Sequence, residues 1–273
     1  MIATLSLLPS RWRALPHARR WGAGLLLALL AVAWLLPLAV PLDPARQDLM
    51  NTLAGPSLAE PLGTDHQGRS QLARMAAAIR LSTGMALVSV LSAALPGVLL
   101  GVLAGWRGGW TDRALGLVAD CVLALPGLLL VLLLAAIAPG QFWALYVGIA
   151  LVLWVEYFRV VRATTRSLAA SPQLQASRLL GFGHGYLLRR HLWPELAPGV
   201  LTIAAFGAAN AILALAALGF VSIGLEPPTA ELGLMMTELL PYYREAPWII
   251  LQPIAVLFLL VLGCQLLAGR EPQ

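Results

Sequence analysis

The strongest constraint on this chain is a set of six apolar runs, each long enough to cross a bilayer. They are about Trp21–Val40, Gly84–Trp106, Ala114–Ala138, Gln141–Val161, Pro198–Leu225 and Trp248–Ala268. Crossing about 30 Å of hydrocarbon takes roughly 20 mostly apolar residues in helical form. In lipid every backbone N–H and C=O must be satisfied within the protein, so runs of this length read as helices. Composition agrees. Only 11% of the residues are charged and 59% are hydrophobic, whereas a water-soluble domain carries about 25% charged. The expected fold class is an all-α integral membrane protein with six transmembrane helices. The first run follows Arg19-Arg20 but has no A-x-A cleavage site after it, so it reads as an uncleaved anchor rather than a signal peptide.

Arginine placement sets the orientation. With the N-terminus inside and the chain alternating, Arg11, Arg13, Arg19, Arg20, Arg107, Arg113, Arg159, Arg162, Arg166, Arg178, Arg189, Arg190 and Arg270 are cytoplasmic. Arg46, Arg69, Arg74, Arg80 and Arg244 are outside. Thirteen against five is a clear positive-inside bias, so both termini are expected in the cytoplasm. The organisation is then a cytoplasmic segment 1–20, a first transmembrane helix 21–40 and an outer loop 41–83. A five-helix core 84–268 follows, with a cytoplasmic loop 162–197, and then a tail 269–273. In the outer loop, Leu72, Met75, Ala76 and Ile79 share one helical face, which predicts a short amphipathic helix at the interface over Arg69–Arg80. A second outer loop covers about Gly224–Pro247. Trp106, Trp110, Trp143, Trp154, Trp193, Trp248, Tyr242 and Tyr243 fall near expected span ends, where their rings favour the headgroup level.

The chemistry of the charged set excludes several functions. The basic residues are 18 arginines and no lysine. A Walker A loop needs its lysine to reach the phosphates, so if ATP drives this protein, another chain binds it. Arginines lying between apolar runs point to membrane lipid, not nucleic acid. Cys121 and Cys264 sit in apolar stretches and make no disulfide framework or CxxC site. His17, His66, His184 and His191 all fall outside the expected spans, which argues against a transmembrane metal site or a Ser-His dyad. No catalytic constellation is present. His66, beside Asp65, reads as a loop hydrogen-bonding residue before it reads as a contact for a metal substrate. The run Gly181–Gly185 lacks the preceding strand of a dinucleotide fingerprint and reads as a turn.

A few polar residues interrupt the apolar runs, where they are expensive unless paired. Glu156 is either a pore-lining acid or one half of a pair with Arg159, three residues on and within helical reach; the pair is the favoured reading. Asp120 faces either a partner helix or a polar cavity. Asn210, on a fifth helix rich in small residues such as Gly207, either lines a translocation path at a subunit interface or belongs to close helix packing.

Spacing in the cytoplasmic loop is the most informative motif. Gln175-Ala176-Ser177-Arg178, Gly181 and Pro194 resemble the EAA signature of bacterial ABC importer permeases, which reads Glu-Ala-Ala, three residues, Gly, nine residues, Ile-x-Leu-Pro. Gln175 replaces the Glu, Ser177 the second Ala, and His191 and Trp193 the Ile and Leu. Further stretches resemble the dipeptide/oligopeptide/nickel permease family in order along the chain. They are Pro61–Arg69 (PLGTDHQGR), Gly105–Asp112 (GWRGGWTD), Asp120–Pro126, Ala211–Gly224, and Pro227-Pro228-Thr229 with Gly233. Ser70 replaces that family's usual Asp, Leu215 stands where many relatives have a Glu, Glu156 where they have a small or apolar residue, and the C-terminal tail is short. The resemblance implies a type I ABC importer permease fold. It implies a coupling helix near Gln175–Gly181 that docks on an ATPase. It implies as partners a second homologous permease, two ABC ATPases that use ATP and Mg, and an external substrate-binding protein, with no cofactor on this chain. Peptides or nickel are the implied cargo. The alternative is a secondary transporter or channel that needs no ATPase.

Overall fold

The computed structural model describes residues 17–39 and 43–269. Its helices are α1 (His17–Ala39), α2 (Gln71–Arg107), α3 (Gly109–Leu123), α4 (Gly127–Ile137), α5 (Phe142–Ala169), α6 (Pro172–Leu179), α7 (His184–Leu187), α8 (Trp193–Phe220), α9 (Leu232–Leu239) and α10 (Pro247–Ala268). A π-helical turn, Leu188–Leu192, joins α7 to α8, and a 3₁₀ turn, Leu240–Tyr242, follows α9. Among the described residues the one β feature is an isolated bridge between Thr64 and Ser70. Among the described residues five helices are long and apolar enough to cross a membrane, and a sixth span is present if the bent pair α3–α4 counts as one.

Three boundaries differ from the sequence reading. The Arg69–Arg80 stretch is not a separate interfacial helix. It supplies the first turns of the 37-residue α2, since nothing between Arg80 and Gly84 breaks the helix and the alanines Ala76, Ala77 and Ala78 favour it. The third run is broken, with α3 and α4 meeting at a 74° bend. Pro126 stands at that break; it has no N–H to give and restricts the residue before it. The cytoplasmic loop is shorter than 162–197, because α5 continues to Ala169 and α8 starts at Trp193.

The chain divides into two compact units, 1–84 with 212–273, and 85–211. In the first, α1 crosses α10 where Gly22 meets Leu266 and Gly263 meets Leu26, with no room for a Cβ on either glycine. Small residues let helix backbones approach closely in lipid, where apolar burial alone gives little drive. Arg19 Nε donates to the Gly269 carbonyl at 3.1 Å, satisfying one of the orphan acceptors at the end of α10. A small apolar cluster of Leu239, Ala246 and Ile249, with Leu53 against it, holds the loop after α9.

In the second unit α5 is the central helix. Gly97, Gly101 and Gly105 form one stripe of α2, each four residues from the next, and press on Tyr157, Val161 and Thr165 of α5 respectively. Gly127 and Gly148 do the same between the α4 region and α5, against Val152 and Val131. Tyr157, Phe158 and Val161 are fully buried. The second unit thereby fixes α5, and with it the chain that leads into α6.

Candidate coupling segment and polar faces

Helix α6 is built by ordinary end chemistry. Ser171 is its N-cap, with a hydroxyl accepting from the Leu174 amide at 3.4 Å, and Pro172 occupies the first turn, where its missing N–H costs nothing. At the other end Gly181 adopts φ +81°, a left-handed conformation that penalises any Cβ. The Gly181 amide donates to the Arg178 carbonyl at 3.0 Å and the Phe182 amide to the Ser177 carbonyl at 3.3 Å. That pair of bonds is a Schellman end, and it turns the chain sharply.

One residue seats the helix. Leu174 is 1% exposed and joins Val161, Leu187, Leu192 and Leu196 in an apolar cluster, with Trp106, Leu168 and Val200 packed around it. Polar side chains then fix its rotation. Ser177 Oγ lies 3.0 Å from His191 Nε2, the Arg178 guanidinium sits 4.2 Å over the Trp106 ring, and Gln175 Nε2 donates to the Ala170 carbonyl at 3.3 Å. A carboxylate in place of Gln175 has no N–H to make that last bond. The rest of the segment projects outward. Leu179 is 90% exposed and Leu180 76%, with Phe182 and Tyr186 exposed and stacked at 4.4 Å between ring centres. Pro194 is exposed in the first turn of α8. The π turn lies just before it, and Pro194 itself lacks the amide that would bond the Arg190 carbonyl in a regular helix.

The polar residues of the spans do not pair as expected. Arg159 Nη2 donates to Asp120 Oδ1 at 2.7 Å, so α5 is tied to α3 and Asp120 is answered by a neighbouring helix. Arg162 binds Asp112 through two of its guanidinium nitrogens, Nη2 to Oδ2 at 2.6 Å and Nε to Oδ1. Arg166 approaches the same carboxylate at 3.9 Å. The Glu156–Arg159 pair is therefore not formed. Glu156 is exposed and its carboxylate has no hydrogen bond or ion pair among the described residues. Asn210 is also exposed, while Gly207 is buried against Leu153 of α5 and Val90 of α2.

Residues 97–269 match the family described as binding-protein-dependent transport system inner membrane component. The chain belongs to that family. It is 32% identical over 251 residues to the nickel transport system permease protein NikC of Escherichia coli K12, covering 90% of this chain and 91% of the relative. It is 34% identical over 264 residues to the di/tripeptide transport system permease protein DppC of Pseudomonas aeruginosa UCBPP-PA14, covering 94% and 87%. The inward-facing MetNI methionine ABC transporter aligns at a TM-score of 0.52 and 18% identity, over 71% of this chain and 95% of that one. This likeness shows a shared type I importer permease fold. The permease is thus a multi-pass inner-membrane subunit of an ABC importer. The comparisons favour that reading over an ATPase-independent channel or secondary transporter.

The permease also holds a buried ionic network that the sequence reading did not foresee. Asp65 Oδ1 accepts from the Gln67 and Arg69 amides at 2.8 and 2.9 Å, and Oδ2 from Arg69 Nε at 2.6 Å and from Arg74 Nη1. Glu238 of α9 accepts from Arg74 Nη2 at 2.5 Å and from Arg69 Nη2 at 3.2 Å. Asp65, Arg69 and Arg74 are at most 1% exposed. Burial pushes the Asp65 carboxyl up, but the Arg69 amide and the Arg74 and Arg69 charges outweigh it and leave the group below the usual carboxylate range. Next to it His66 stacks on Tyr242 at 5.1 Å, and burial holds its imidazole below the usual histidine value despite the Asp65 and Glu238 charges. Glu231 caps α9 by accepting from the Leu234 amide at 2.8 Å; burial raises its carboxyl against the pull of that and neighbouring amides. Spacing alone offered one signal: Asp65 is followed by two arginines, Arg69 and Arg74, within ten residues. Their partner Glu238 lies 164 residues beyond Arg74, and no local pattern reaches that far.

Proposed function

We propose that this permease pairs with a second, homologous permease and two separate ABC ATPases, and that α6 is the helix through which ATP binding is converted into alternating access. The observation that carries this is the contrast within the 171–186 segment. Leu174 roots α6 in the core of its unit, while Leu179, Leu180 and Phe182 stand in the open. An apolar face of this kind on a polar, arginine-rich side marks a protein docking surface. A helix rooted at one residue and docked by its far end passes on a push. Gln175, Ala176, Ser177, Arg178, Gly181 and Pro194 are the residues of that joint. Gln175 carries no charge, so transmission here runs through packing and hydrogen bonds instead of an ion pair.

Both termini are cytoplasmic in this proposal, ATP and Mg are bound by the partner ATPases, and this chain is the non-catalytic member. An external binding protein delivers the cargo. Named relatives carry nickel and di- or tripeptides, and the cargo proposed here is a small peptide or nickel, free or chelated. The test is replacement of Gly181 by valine in the reconstituted complex. Valine cannot hold φ near +81° without strain, so the turn re-forms and α6 leaves its socket. Loss of cargo-stimulated ATP hydrolysis is the expected result. Wild-type stimulation in that variant would overturn the assignment.

A further inference from the structure

We infer that Glu156 is a cargo-facing carboxylate on the translocation path, a transient site for a cationic group, either an ammonium or a divalent metal ion. The inference rests on the permease reading above and adds to it a residue that selects. Glu156 lies in the 28-residue α5, a helix apolar enough to span the membrane, one turn before Arg159 and toward the cytoplasmic end of the expected span 141–161. A carboxylate within a span is retained only when it is paired, buried in a polar network or in contact with water. Among the described residues its pairing is closed off. Arg159, the one cation within helical reach of Glu156, is bound to Asp120. Arg162 is held by Asp112. Glu156 is exposed and unpaired among the described residues, open to water or to a charge from outside this chain.

Other exposed polar residues lie along the same pair of helices. Leu153 of α5 receives Gly207 of α8. Helices α5 and α8 run antiparallel, Val161 meeting Leu196 and Leu153 meeting Gly207, so Glu156 lies one turn to one side of the Leu153–Gly207 contact and Asn210 one turn to the other. Both are exposed. One further turn along α5 stands the Arg159–Asp120 pair, half to two-thirds exposed. Asn210 is neutral and the pair cancels, so the net charge of these residues is the one negative charge of Glu156. Such a site attracts cations and repels anions at close range. With one carboxylate it holds an ion weakly, as a conduction step requires. It is not a resident metal centre: among the described residues no group of three metal-ligating side chains is present.

The experiment uses the full complex of both permeases, ATPases and binding protein in proteoliposomes, with nickel(II) and an uncapped dipeptide as separate probes. Glu156→Gln is expected to lower ATP-driven uptake of the carried probe about ten-fold, the worth of one charge-assisted contact. Glu156→Asp is expected to stay within about two-fold, because the charge is kept. Loss confined to nickel identifies a metal ion at the site, and loss confined to the dipeptide identifies its ammonium. A second measurement tests water access without reference to cargo. In a Cys121→Ser, Cys264→Ala background, Glu156→Cys should react with a membrane-impermeant cationic thiol reagent. Wild-type uptake in Glu156→Gln, or no reaction of the cysteine in any nucleotide state, overturns the inference alone. So does failure of Glu156→Gln to assemble with the second permease, since that makes Glu156 an interface residue. Uptake of neither probe by the wild-type complex overturns the proposed cargo and this inference together.

Discussion

Two segments outside the spans, α6 with its turn and the loop leading into α2, are held by opposite means. Helix α6 is seated by one leucine and steadied by neutral or singly charged contacts, Ser177 to His191 and Arg178 to Trp106. The loop before α2 is locked by two carboxylates and two guanidiniums, nearly all of them shielded from solvent. Buried ion networks are rigid because removing any member strands a charge. Apolar seats with soft polar contacts tolerate rocking. The difference fits the coupling role proposed for α6, and a loop before α2 that holds a fixed shape.

Breaking the network gives the largest expected effect. Arg74→Ala leaves Asp65 and Glu238 facing each other with one guanidinium between them, and should cost about 3–5 kcal/mol of stability. Thermal unfolding in detergent measures it. A change no larger than that of a surface substitution would remove the contrast between the two segments.

The same network carries a pH signature. The Asp65 carboxyl titrates below its unfolded value. Its contribution is therefore complete above the unfolded value and is lost as pH falls through it toward the folded one. The gap in melting temperature between wild type and Asp65→Asn should be constant from neutral pH to about pH 5 and shrink below about pH 4. A gap that persists at pH 3 would show that Asp65 acts through shape and not charge.

Legibility in the sequence follows the same division. The six runs and the arginine asymmetry are local, and so is the spacing from Gln175 to Gly181. A single window of residues displays each of them. The turn at Gly181 was readable because only glycine suits a left-handed φ there. The break at Pro126 was also local, but length alone made one span of what is a bent pair. Pairing of charges was not readable. Glu156 and Arg159 satisfy the helical rule for a pair, yet Arg159 turns to Asp120, 39 residues away, because α3 packs beside α5. The role of Arg69–Arg80 was hidden for a similar reason. Its apolar face suggested an interface, whereas Arg74 finds Glu238 and the stretch is buried as the start of a long helix.

Smaller effects sharpen the α6 side of the contrast. Gly181→Ala keeps the smallest possible side chain and should cost about 1–2 kcal/mol for the left-handed residue. Coupling should fall partway, in step with the population that keeps the turn, and the valine variant sets the lower limit. Cargo-stimulated ATP hydrolysis read across glycine, alanine and valine should be graded. An alanine variant as inactive as valine would mean that Gly181 touches the ATPase directly.

The smallest effect is expected at Arg178. Its guanidinium lies over the Trp106 ring at 4.2 Å, and an exposed cation–π contact of this kind is worth about 0.5–1 kcal/mol. Arg178→Gln should therefore leave the melting temperature almost unmoved. Trp106 closes α2, the helix whose glycine stripe lies on α5, so the contact ties the rotation of α6 to the two helices that support it. If that tie transmits motion, Arg178→Gln should lower stimulated ATP hydrolysis more than its small stability loss accounts for. Arg178→Lys should restore part of it, since an ammonium also sits over an indole. Equal rates in all three proteins would reduce Arg178 to a solvated charge and leave Leu174 as the whole of the seat.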